Sequence, residues 1–130
     1  MGNFSEIYLI ERQNVERTLN SMQELLKTPL SNPEYNTSLL ALYLHNFYNS
    51  IENILVRLLK ELGYSIKQSG SWHKDLIELA VSSNVITENL GSELRRYLTF
   101  RHYFIHSYAF LLNENFVLTL AVDANNIGGI

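Results

Sequence analysis

The segment FRHYFIHSY, Phe100 to Tyr108, gathers the residues of this chain best suited to chemistry. Arg101 and His106 stand five positions apart, and Tyr108 follows the histidine by two. A guanidinium gives bidentate hydrogen bonds to a phosphate and stabilises the negative charge that grows in a transition state. An imidazole titrates near neutrality, so it takes or gives a proton. With those two aids, an RNA 2′-hydroxyl can attack its own phosphodiester without a metal. An arginine and a histidine at this spacing are also common on ordinary helix surfaces, so the pair assigns nothing by itself.

Helix geometry sets a condition on that chemistry. Arg101 and Tyr108 would be offset by only about 20° and share a face, whereas His106 would be turned from Arg101 by about 140° and raised by about 7.5 Å. A substrate or a second subunit has to stand between them. His102 and His106 are four apart, but two imidazoles without an acidic third ligand are weak grounds for a metal. No metal and no cofactor is expected, and His102 reads as a polar helper or a solvent-facing residue. Tyr103, Phe104, Ile105 and Phe110 read as core residues rather than as a platform for stacking bases.

The elements that must position these residues are helices. The chain has 130 residues, 46% hydrophobic and 18% charged, with a net charge of −3 and no cysteine. That excludes low-complexity disorder, disulfides, thiolate nucleophiles and cysteine-based metal sites. No apolar run is long enough to span a membrane, and charges come too early in the N-terminus for a signal peptide. A soluble, cytoplasmic protein that forms one domain over residues 1–130 is expected, with a core over 3–112 and a C-terminal tail over 113–130. Bulk electrostatics do not suit nucleic acid. The stretch Arg95 to His106 nevertheless holds three arginines and two histidines with no acid, so Arg95 and Arg96 are candidate RNA contacts.

Ile7, Val15, Leu19, Met22 and Leu26 predict a helix from about Asn3 to Lys27, with Asn3 and Glu6 as a capping box and Pro29 ending it. Leu40, Leu44, Phe47, Ile51, Ile54, Leu58 and Leu62 make one stripe of a second helix, Asn36 to Leu62, closed by Gly63. A short third helix starts near Trp72 behind Ser71, and a fourth opens at Thr87 or Glu88 and reaches toward Leu112. Phe116 to Val122 reads as a last helical turn or a strand-like tail, with a frayed end from Asn125. The sum is an all-α antiparallel four-helix bundle with a short C-terminal tail. Surplus apolar surface points to a homodimer. Elsewhere, His45 reads as a core or interface residue. Glu52 and Asn53 read as a solvated helix face. Trp72 to Asp75 reads as a tryptophan anchor with its charges outside. No Walker-type loop, GxSxG, HExxH or EF-hand pattern is present.

RHYFIHSY (Arg101 to Tyr108), near the end of a four-helix chain, resembles the HEPN superfamily, and within it the HepT-like toxins encoded beside a minimal nucleotidyltransferase antitoxin. LHNFYNSIEN (Leu44 to Asn53), SWHKDLIELA (Ser71 to Ala80) and the fourth helix strengthen the likeness, which covers roughly Ile7 to Leu112. The resemblance implies a HEPN-like, homodimeric fold and a metal-independent ribonuclease whose cleft forms where two fourth helices meet. Arg101 would hold the scissile phosphate, His106 would be the general acid or base, and His102 would assist. Tyr108 matches the tyrosine that the partner nucleotidyltransferase adenylylates, which silences the toxin. The implied partners are RNA (tRNA among the candidates), a second copy of the chain and a nucleotidyltransferase antitoxin of a type VII-like pair. No membrane is implied. The competing reading is a non-catalytic HEPN-type module that binds a nucleotidyltransferase.

Overall fold

The computed structural model describes residues 2–66, 70–106 and 113–128, and their side chains from residue 6 to residue 127. Among the described residues the chain is helical, without a strand: α1 Gly2–Lys27, α2 Pro33–Glu61, α3 Trp72–Ser82, α4 Glu88–His106 and α5 Glu114–Gly128. The all-α expectation holds, with one helix more than the four predicted.

Local chemistry explains most of the boundaries. α2 starts three residues before the predicted Asn36. The Asn32 side chain caps it by accepting from the backbone N–H groups of Glu34 (2.9 Å) and Tyr35 (3.1 Å). Pro33 then occupies the first helical position, where a missing N–H costs no hydrogen bond. At the other end Gly63 adopts φ 94°. Its N–H donates to the Lys60 carbonyl at 3.0 Å, and the Tyr64 N–H reaches back to Leu59 at 2.9 Å. That is the paired closure a left-handed glycine permits. Asn3, expected to cap the first helix, lies inside α1, which runs from Gly2. α4 opens as predicted, with Thr87 Oγ1 accepting from the Leu90 N–H at 3.1 Å.

α1 and α2 form a hairpin that packs along its length, and α2 also meets α3, α4 and α5. This central place rotates its core beyond the single predicted stripe. Leu40, Leu44 and Phe47 are buried, but deeper down Leu55 and Leu59 are the sealed positions, Ile51, Ile54 and Leu58 are half-buried, and Leu62 is 61% exposed. A helix with neighbours on several sides needs a wide apolar arc. α3 and α4 approach closely at Gly91, where an added Cβ would stand 2.5 Å from a Val81 methyl.

The segment read as a last helical turn or a strand-like tail with a frayed end is a full helix of 15 residues. Val117, Leu120, Ala121, Ala124 and Ile127 recur at helical spacing and are buried against α1, α2 and α4. Asn113 caps it by accepting from the Phe116 N–H at 3.0 Å. Two ties fix it to α4: the buried Tyr97 hydroxyl donates to the Leu120 carbonyl at 2.8 Å, and Arg96 reaches Asp123 at 3.0 Å. Together with the Phe47 ring, tilted against Tyr97 with centroids 5.7 Å apart, these contacts anchor the middle of α4.

Candidate functional site

α4 delivers Arg101, His102 and His106 within its last two turns. Phe100 is buried and stacks on Phe104 at 5.7 Å, which anchors the inward face just where the helix begins to leave the core. Arg101 is the next residue and is half-buried. Its Nε is sealed from solvent without a hydrogen-bond partner, and no ion pair forms at its head group among the described residues. His102 and His106 are both exposed, with ring centroids 4.7 Å apart. No contact joins Arg101 to His106, as the angular offset requires. Tyr108 lies outside the described residues, as does Phe110. Tyr103 and Ile105, expected in the core, are 54% and 46% exposed, and Phe104 is half-buried. With Arg101 turned to the interior side, its neighbours at 102, 103, 105 and 106 face away from the bundle.

Beneath Arg101 lies a row of polar side chains that the sequence did not single out as a unit. His45, Tyr48 and Glu52 occupy one face of α2, three and four residues apart. His45 packs its ring on Phe104 at 4.9 Å, so the two helices meet there through rings. Burial, then the positive charge of Arg101, hold its pKa below the ordinary histidine value. The Tyr48 hydroxyl is buried and unpartnered. Burial, then the negative charge of Glu52, push its ionisation far above the ordinary phenol range, while Arg101 opposes them.

Glu52 is not on a solvated face: it is 4% exposed. Its carboxylate accepts the Nδ1–H of His73, at 2.9 Å to one oxygen and 2.8 Å to the other. His73 in turn lies against the Trp72 ring, with centroids 3.9 Å apart. The cluster around Trp72 therefore turns one polar group inward, against the expectation that its charges stay outside. Asn53 is exposed and donates to Glu11 of α1 at 2.7 Å, which makes it a hairpin tie. Of the two candidate RNA arginines, Arg95 is exposed, whereas Arg96 holds Glu93 at 2.6 Å and Asp123 at 3.0 Å and would have to release them to meet a phosphate.

The arrangement is chemically uneven. One half-buried guanidinium and two exposed imidazoles lie at one end of α4, and a buried acid on α2 is engaged by His73. No group of three or more His, Cys, Asp or Glu side chains able to hold a metal ion occurs among the described residues. No helix among them is long and apolar enough to cross a membrane. A family model described as HepT-like protein matches residues 39–128, from the start of the α2 core through α5. No curated protein and no solved structure matches the chain.

Proposed function

We propose that this chain, which belongs to the HepT-like protein family, is a metal-independent ribonuclease acting as the toxin of a toxin–antitoxin pair. One observation carries the reading: Arg101 is a half-buried cation with a sealed, unpartnered Nε that no acid neutralises among the described residues. Such a guanidinium is costly to leave unpaired, and a phosphate is the partner its geometry fits. Arg101 takes the scissile phosphate. His106 removes the proton from the RNA 2′-hydroxyl, whose oxygen attacks the adjacent phosphorus and expels the 5′-oxygen of the next nucleotide, leaving a cyclic phosphate. His102, one turn from His106, assists by orienting it or by passing the proton.

Within one protomer Arg101 and His106 diverge, so the cleft is completed across a two-fold axis by a second α4. Exposed Tyr103 and Ile105 supply apolar surface for that contact. The dimer brings two copies of Arg101 and of exposed Arg95 to one cleft, which attracts RNA, tRNA among the candidates, despite the net negative chain. Control is by a nucleotidyltransferase partner that places AMP on Tyr108, whose phosphate competes for Arg101. The divergence of Arg101 and His106 in the single chain also favours a second reading, a non-catalytic module that binds the same partner.

Mixing Arg101→Ala protomers with His106→Ala protomers tests both. Partial recovery of RNA cleavage, unaffected by EDTA, is the result expected of a shared metal-free site. Loss of wild-type cleavage on adding EDTA contradicts the mechanism, and a wild-type protein that binds the partner but cuts no RNA establishes the module.

A further inference from the structure

His102 and His106 stand one turn apart on α4, and both side chains are exposed. Their ring centroids lie 4.7 Å apart. No hydrogen bond or ion pair engages either ring among the described residues, so both are free to turn a nitrogen toward a shared ion. The other two histidines differ: the Nδ1 of His73 is taken by Glu52, and His45 packs against Phe104. Spacing alone is weak grounds for a metal; the separation of the rings adds a geometric one. An imidazole nitrogen sits about 2.0–2.1 Å from a bound zinc ion, with the ring centre about 1.1 Å further back. Two rings on one ion therefore have centres about 4.5 Å apart when their bonds meet at a right angle, and about 5.1 Å apart at a tetrahedral angle. The observed separation falls between these limits. Imidazole nitrogens suit zinc, copper and nickel, whereas magnesium and calcium prefer oxygen.

We propose that His102 and His106 chelate a divalent transition metal of the zinc class, and that the bound ion holds the ribonuclease inactive. The second half rests on the ribonuclease reading; the chelate does not. A neutral imidazole has one free lone pair. Once His106 gives it to the metal, the ring takes no proton, and the general base is lost. Within a single chain, water completes the coordination. The pair also lies at the middle of the outward face of this helix end. At about 100° per residue, the exposed Ile105 and Tyr103 flank the midpoint of the pair by about 80° on either side. That is the face on which a second α4 is proposed to dock. A second copy would then bring its own pair to the ion across the two-fold axis and supply four nitrogen ligands.

The test is a calorimetric titration of zinc chloride into the untagged protein, with magnesium chloride as the control and the histidine ring signals followed by NMR. The signals of His102 and His106, identified by their loss in His102→Gln and His106→Gln, should move together to a saturating end point. Those of His45 and His73 should stay in place, and magnesium should move none of them. Each single substitution removes the gain from chelation and should weaken zinc binding on the order of 10²-fold. Both residues are exposed, so helix content by circular dichroism should not change. Zinc should slow RNA cleavage by the wild-type protein at the concentrations that saturate the rings, and EDTA should restore the metal-free rate. His102→Gln, measured against its own metal-free rate, should need on the order of 10²-fold more zinc for the same inhibition. One ion per two chains puts the second copy's pair on the same ion. One ion per chain supports the chelate and counts against the α4 contact. Zinc affinity unchanged by either substitution, or movement of one ring without the other, overturns the site. Saturation of both rings with cleavage undiminished overturns the inhibition. If zinc binds as described and the wild-type protein cuts no RNA, the chelate stands and the ribonuclease reading fails.

Discussion

Arg96 and Arg101 stand five residues apart on α4 and live under opposite rules. Arg96 holds Glu93 at 2.6 Å and Asp123 at 3.0 Å, so its charge is spent on joining α4 to α5. Arg101 has one nitrogen sealed from water, no hydrogen bond at that nitrogen and no acid within ion-pair distance among the described residues. The first arrangement is the ordinary solution for a partly buried cation. The second is unfavourable for folding alone, since desolvation without a partner costs free energy. An unpaired, half-buried arginine fits the phosphate-holding role proposed for Arg101.

The largest effect should therefore separate the two arginines by function. Arg101→Ala is expected to lower RNA cleavage by roughly 10²–10³-fold, the range for removing a donor that stabilises transition-state charge. Helix content by circular dichroism should not change. Arg96→Ala should leave cleavage within a few-fold of wild type and cost stability instead, by about 0.2–1 kcal/mol as expected for partly exposed pairs. Equal losses of cleavage in both variants would break the comparison and make Arg96 an RNA contact as well.

A smaller effect sharpens the structural half. Tyr97→Phe removes the hydrogen bond from the buried hydroxyl to the Leu120 carbonyl. Urea denaturation should show a loss of about 0.5–1.5 kcal/mol, the usual net worth of one such bond. Cleavage should be retained, because the bond lies on the anchored part of α4. If Tyr97→Phe and Arg96→Ala together release α5 and cleavage falls with it, the two ends of α4 are mechanically coupled rather than separate.

Much of this difference could be read in the sequence, and part of it could not. Helix ends were legible where single residues dictate backbone geometry, as at Gly63 and Thr87. Residue types and spacing at Arg101 and His106 raised phosphodiester chemistry without assigning it, and the family likeness came from RHYFIHSY together with the other blocks. The partner set was not legible. Glu52 and His73 sit 21 residues apart on different helices, so no local spacing pairs them. Only the packing of α3 on α2 brings the two together. α5 was missed for another reason. Its buried positions Val117, Leu120, Ala121, Ala124 and Ile127 do follow helical spacing, but two are alanines, and Asn125, Asn126 and Gly128 suggest fraying. Leu62 shows the converse: it continues the stripe of α2 past the point where any neighbour remains to cover it.

The smallest effect tests whether the free charge of Arg101 is felt inside the protein. His45 has a pKa below its ordinary value, first through burial and then through Arg101, while Asn46 and Glu52 act the other way. Replacing Arg101 with glutamine removes the second cause and leaves the first. The His45 pKa should then rise part of the way toward 6.5, its ordinary value, when its ring protons are followed by NMR through a pH titration. Arg96→Gln should leave it in place, since that charge does not act on this ring and is balanced by two acids. The same shift has a consequence for stability. Because the folded state holds His45 neutral more strongly than the unfolded chain does, the unfolded chain takes up the proton first as pH falls. The contribution of His45 is therefore complete above pH 6.5 and is lost as pH drops toward the folded pKa. His45→Gln should flatten that acid limb of the stability profile, and Arg101→Gln should flatten it less, because burial remains. A His45 pKa that does not move in Arg101→Gln would mean that solvent or a counter-charge already screens the guanidinium, and the contrast between the two arginines would lose its electrostatic basis.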